Sequence, residues 1–283
     1  MLREACGNAR FPASVSLSGL IISTIYLYSA GPIDASEGSV HHLNEKDLQL
    51  VKAITTEIEV DGTAAIYVLS AKYTNLVRVN LVLLKSLLDE KRKKGVIITI
   101  DRPHQYISHL LQLHGIDQTH LTFIDAISTH SADTKAGSVA AEFQKGPFQI
   151  EGLPEFLFSP SALKLDPMVD MSQVEFIVID NVSTLLTYNT MEAIRKFLSK
   201  YSELASGLKP KPPSTAFVMD KDLHTELFGI ISGMSRKVID VGADMSIKQV
   251  GGAGSPPSMV PPPAQPMSVD LQHSDLGILG RRV

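Results

Sequence analysis

Phe176-Ile177-Val178-Ile179-Asp180 is the stretch on which the fold turns. Four apolar residues, three of them β-branched, run without interruption into a carboxylate. A strand buried on both faces of a parallel sheet reads as a continuous apolar run, whereas a half-solvated strand alternates. The same form recurs on either side. Val96-Ile97-Ile98-Thr99-Ile100 ends at Asp101, Leu121-Thr122-Phe123-Ile124 at Asp125, and Thr215-Ala216-Phe217-Val218-Met219 at Asp220. Ala64 to Leu69, Lys237 to Val241 and a short Phe156-Leu157-Phe158 complete the set of predicted strands.

Helical segments separate these runs. Asn44 is placed to cap a helix over 45–59. Thr74 opens a Leu- and Val-rich helix to about Lys93, closing in the basic run Lys91-Arg92-Lys93-Lys94 before Gly95. Cations suit a helix C-terminus and glycine the position after it. Pro103 suits the first turn of a helix to His114, stopped by Gly115. Asn189 can cap a helix from Thr190 to about Ser206, and another runs to Met234. Residues 127–155 read as loop. Strands alternating with helices predict an α/β domain over 41–250: a doubly wound, mostly parallel sheet with helices on both faces. Ligands of such folds sit beyond the carboxyl ends of the strands, where Asp101, Asp125, Asp180 and Asp220 converge.

The flanks differ. Residues 1–40 form an N-terminal extension, uncharged from Phe11 to Ile33 and diluted by serines. It is read as a signal, a membrane anchor or a disordered peripheral extension. Residues 251–283 read as a disordered tail, with six prolines and three glycines between 251 and 270. The whole chain has 283 residues, 26 Lys and Arg against 30 Asp and Glu, and a net charge of −4. That balance speaks against nucleic acid as a partner. A lone Cys6 excludes an intrachain disulfide and a cysteine-rich zinc site.

Several chemistries fail at the level of motif. The turn after the first strand, Ser70-Ala71-Lys72-Tyr73-Thr74-Asn75, has no glycine. It therefore lacks the G-x-G-x-x-G of a dinucleotide fold and the G-x-x-x-x-G-K-[ST] of a phosphate loop. No acidic pair follows that strand, so a phosphoacceptor receiver fails too. His104, His109 and His114 are five apart, a spacing that puts them on different faces of a helix. They read, like the other histidines, as surface and loop residues rather than metal ligands. No G-x-S-x-G marks a hydrolase elbow.

The order of these segments, with Gly95 to Pro103, Leu121 to Asp125 and above all Ile179-Asp180-Asn181-Val182-Ser183-Thr184-Leu185-Leu186-Thr187-Tyr188-Asn189, resembles RecA/KaiC-type P-loop ATPase domains. The likeness spans about residues 43–245. It looks most like a poorly characterised archaeal branch in which the glycine-rich Walker A loop is degenerate. The resemblance implies that Asp180 assists Mg²⁺ and that Asp101 matches the first of the acidic residues that activate water, with Arg102 replacing the second. It places the phosphate-binding turn at Lys72, Tyr73, Thr74 and Asn75. Thr74 or Asn75 can equally be a plain helix cap. ATP with Mg²⁺ is the only cofactor the likeness suggests, and the residues by themselves assure none. With the phosphate cradle and its lysine missing, the expectation is a non-catalytic pseudo-ATPase, a regulatory or scaffold domain in signalling that acts through protein partners or self-association. The alternative is a nucleotide-binding protein or slow ATPase with an unconventional loop. The expected compartment is the cytoplasm, with membrane anchoring through residues 1–40 as the alternative.

Overall fold

The computed structural model describes residues 43–127, 140–143, 145–158, 171–208 and 211–252. The expectations for the N-terminal extension and for the tail beyond Gly252 lie outside them. Among the described residues eight strands form one sheet: β1 (Ile66–Ser70), β2 (Gly95–Thr99), β3 (Leu121–Asp125), β4 (Ala140–Glu142), β5 (Phe176–Ile179), β6 (Ser214–Met219), β7 (Lys237–Val241) and β8 (Ile247–Gly252). Their spatial order is β4-β3-β2-β5-β6-β1-β7-β8. Every pairing is parallel except β7 with β8.

The described residues hold seven α-helices: α1 (Glu45–Glu57), α2 (Leu76–Lys85), α3 (His104–Leu113), α4 (Leu153–Phe158), α5 (Leu185–Tyr188), α6 (Met191–Gly207) and α7 (Thr225–Met234). Successive strand residues point to opposite faces, and the two cores divide accordingly. Leu69, Ile97, Val178 and Val218 pack with Leu50 and Ile54 of α1, Val79 and Leu83 of α2, and Ile107 and Leu111 of α3. Val68, Ile98, Ile177, Ile179 and Phe217 pack with Leu157 of α4, Phe197 and Tyr201 of α6, and Ile231 of α7. Each fully buried aliphatic or aromatic side chain of this kind contributes roughly 1.5–3 kcal/mol. The sheet is thus the doubly wound α/β arrangement expected, with helices on both faces. Strand β6 lies between β1 and β5, the order of a RecA/KaiC-like fold.

Asn44 caps α1 as expected, through a reciprocal box. Its side chain accepts from the Asp47 backbone N–H at 3.1 Å, and Asp47 accepts from the Asn44 N–H at 2.9 Å. Asp47 also pairs with Arg78 at 2.6 Å, tying α1 to α2. Asn44→Ala is therefore expected to cost about 1 kcal/mol and to lower the midpoint of thermal unfolding by ~2–4 °C.

Four local readings need correction. The helix after β1 does not continue into the basic run. It starts as a 3₁₀ turn, Tyr73–Asn75, continues as α2 and ends in a π-turn, Ser86–Glu90. Gly95 is not its cap but the first residue of β2. A Cβ there would stand 2.2 Å from the Phe176 ring, and the left-handed residue is Arg92, at φ 51°. Phe156 to Phe158 are helical, in α4, because Leu153, Leu157 and Phe158 turn together into the second core. Pro154 is tolerated in that first turn. Thr190, not Asn189, caps α6, accepting from Ala193 N–H at 3.2 Å; Asn189 donates instead to the Leu185 and Pro147 carbonyls. Finally, β8 takes in Gly251 and Gly252, which composition had placed in the tail. Among the described residues no helix is long and apolar enough to cross a membrane.

Candidate functional site

The carboxyl ends of β1, β6, β5 and β2 bring together most of the residues singled out in the sequence. Strand β1 ends at Ser70 and the 3₁₀ turn begins at Tyr73, so Ala71 and Lys72 alone connect them. The backbone N–H of Ala71 still follows the ladder, donating to the Met219 carbonyl at 3.0 Å. The N–H of Tyr73 donates at 2.8 Å to Oδ2 of Asp220, at the end of the neighbouring strand. Lys72 is exposed and pairs with the Asp222 carboxylate. That pairing raises the lysine above its usual range and lowers Asp222 below its own. Thr74 is exposed, and Asn75 reaches the Ala243 carbonyl at 3.4 Å. Neither makes a side-chain cap to the helix. That task falls to Asp220, from another strand.

Asp180 is only 2% exposed. Its Oδ1 accepts from the Ile100 N–H at 2.8 Å, and its backbone carbonyl accepts from Asn80 Nδ2 at 2.9 Å. Burial, with the Asp101 carboxylate nearby, pushes its acid up to about 7. Desolvation of this kind disfavours the ionised form. Asp101 accepts from Thr184 Oγ1 at 3.0 Å, and Arg102 stands 3.7 Å from its other oxygen while lying over the Tyr106 ring. The Tyr73 phenol is raised by burial and by the Asp101 carboxylate, against the pull of Arg102. Tyr73, Asp101 and Asp180 therefore share one electrostatic neighbourhood, while Lys72 pairs with Asp222 and Asn75 reaches Ala243.

Sequence reasoning missed two features. His104 is buried, not a surface residue. Its backbone N–H and its Nδ1 both meet Asp125 Oδ2, at 2.9 and 2.8 Å. The signal was present, since Pro103 starts the helix where β3 ends in an aspartate, but spacing alone could not pair residues on different elements. The second is a set of buried polar atoms without a hydrogen-bond partner among the described residues: Asn80 Oδ1, Thr99 Oγ1, both amide atoms of Asn181 and Ser183 Oγ. Among the described residues no three His, Cys, Asp or Glu side chains group as metal ligands.

These donors do not fit a triphosphate with its Mg²⁺. A phosphate cradle needs a curl of free backbone N–H groups. Here the turn is too short to curl, and its Tyr73 N–H already holds a carboxylate. A magnesium ligand must be open to the ion, whereas Asp180 is enclosed and its Oδ1 already holds the Ile100 N–H.

The class defined by sheet and helices is the RecA/KaiC-like α/β fold, read from the strand order of this chain. No protein-family model matches the sequence, and no curated protein matches it. Among the solved structures similar to it are two archaeal proteins. One is a KaiC-like protein from the hyperthermophilic archaeon Pyrococcus horikoshii OT3, with 14% identity and a TM-score of 0.45, covering 64% of this chain and 73% of that chain. The other is an uncharacterized protein from Pyrococcus horikoshii, in complex with an unknown peptide. It has 15% identity and a TM-score of 0.42, covering 62% of this chain and 77% of that one. Likenesses this distant carry no argument about activity.

Proposed function

We propose that this chain is a non-catalytic RecA/KaiC-like regulatory or scaffold domain that acts through protein partners or self-association. The observation supporting this reading is the Asp220 carboxylate seated on the Tyr73 N–H at 2.8 Å. Phosphoryl transfer depends on positioning and on neutralising charge. A carboxylate at the helix start supplies the opposite of both: it uses the donor and adds negative charge. The pairing of Lys72 with Asp222 removes the nearby cation from the same task.

The expected result is that Mg·ATP and Mg·ADP give no binding heat with the full chain and that no ATP is turned over. Magnesium-dependent turnover lost in Asp180→Ala would overturn the reading. A slow ATPase or nucleotide-binding protein is the second reading, and the unpartnered polar atoms of Asn181 and Ser183 next to Asp180 favour it. Buried polar groups ordinarily have partners, and a ligand is one way to supply them. Nucleotide binding weakened by Asn181→Ala, with no turnover, would support a bound but unreacted nucleotide.

A further inference from the structure

The mismatch between this site and a phosphate ligand has a specific form. Asp220 is 4% exposed, and both of its carboxylate oxygens face backbone N–H groups. Oδ2 accepts from Tyr73 at 2.8 Å, across from β1, and Oδ1 accepts from Asp222 at 3.0 Å in its own loop. Tyr73 opens a continuous helical run that ends at Glu90, so its N–H is the leading donor of a long helix. The leading N–H groups of a helix lack intrahelical acceptors and carry partial positive charge. Oxyanions settle there for that reason. In this chain the oxyanion is a side chain, and the ion pair of Lys72 with Asp222 adds a second tie between the same two segments.

We propose that Asp220 is a tethered anion: its carboxylate takes the place of a ligand oxyanion at the start of the Tyr73–Glu90 helix and latches the loop after β6 to the turn after β1. The latch rests on the scaffold reading and gives it a cause. A nucleotide would close the same two segments only while bound. A covalently attached carboxylate does so permanently, because its effective concentration exceeds that of a free anion of millimolar affinity. A second anion would meet both a used donor and a like charge. The domain is then fixed in one arrangement, which suits a surface presented to a partner.

The test is made on the full chain with inorganic phosphate as probe, against sodium chloride of equal ionic strength. The thermal midpoint of the wild type is expected not to respond to ~50 mM phosphate. Asp220→Ala removes the carboxylate and leaves the Tyr73 N–H free. It is expected to unfold at lower temperature and to recover by about 3–5 °C with phosphate, the shift of a site filled to roughly tenfold excess over Kd. Asp220→Ser removes the charge but keeps an oxygen that can accept from the Tyr73 N–H, and is expected to respond to phosphate in the same direction with a smaller shift. If the alanine variant does not fold, the serine variant and the Tyr73 amide resonance of the wild type carry the test. That resonance is expected to stay fixed as phosphate is added. Variants silent to phosphate, or a wild-type Tyr73 amide that moves with it, would overturn the latch. Variants silent to phosphate leave the scaffold reading standing. ATP turnover by the wild type overturns the scaffold reading whatever the variants do.

Discussion

Asp180→Asn is expected to stabilise the protein at pH 8 and to be neutral or slightly destabilising near pH 4.5. The Asp180 acid stands at about 7 in the folded chain, against about 3.9 in an unfolded one. Between those values the folded state keeps a proton that the unfolded state has released. The stability this confers is whole below the unfolded value and is lost as pH rises through the folded one. A difference of about three units corresponds to roughly 4 kcal/mol as an upper bound. Asparagine keeps an acceptor for the Ile100 N–H and carries no charge to desolvate. The stability of Asp180→Asn relative to wild type should therefore climb by roughly 2–4 kcal/mol from pH 4.5 to pH 8. Urea unfolding across that range measures it. Parallel curves for the two proteins would mean that the ionised carboxylate has a favourable partner in solution, and adding or removing Mg²⁺ would show whether that partner is the metal.

The second large effect lies at Gly95. Its strand partner is Phe176, and a Cβ would stand 2.2–2.4 Å from three atoms of that ring. Gly95 is in extended backbone with no need of positive φ, so the constraint is space alone. Alanine must displace an aromatic ring that is itself buried between β2 and the first core. Overpacking of this kind costs about 1–3 kcal/mol, and the central position puts Gly95→Ala at the upper end. Phe176→Leu alone costs ~1–2 kcal/mol through lost burial. The pair should cost less than the sum, because the smaller side chain opens the room that the methyl requires. Denaturant midpoints of the four proteins form the cycle. Strict additivity would mean that the ring is not what excludes the methyl.

Continuous apolar runs ending in aspartate were enough to locate β2, β3, β5 and β6, because a strand buried on both faces has no polar register to hide; β1 showed the same apolar run ending in Ser70. The same logic failed at Phe156 to Phe158. A six-residue helix that is apolar nearly throughout looks like a strand, since it is too short to display a 3.6-residue period. Strand β8 was invisible for the opposite reason. Ile247-Lys248-Gln249-Val250 lies at a sheet edge with much of its length exposed, and its polar residues satisfy solvent rather than a pattern. At the strand ends, Tyr73, Asp101 and Asp180 lie in one electrostatic neighbourhood. The sequence could not foresee that Asp220 would reach the Tyr73 N–H, a contact between residues 147 positions apart. That contact follows from β6 lying beside β1, which is a property of topology and not of any motif.

The placement of β1 also bears on how the chain reaches this structure as it is synthesised. Both of its sheet neighbours, β6 and β7, are encoded after residue 213. The strands on the other side of the sheet, β2, β3 and β5, can pair with one another much sooner. During translation the first described strand is therefore among the last to acquire a partner, and its loop-closure cost is met only by residues 214 onward. Until then Tyr67, Val68 and Leu69, buried in the finished protein, remain a sticky segment that the nascent chain must carry exposed. The Tyr73–Asp220 contact can form only after residue 220 has been made, long after β2 and β3 are available to pair.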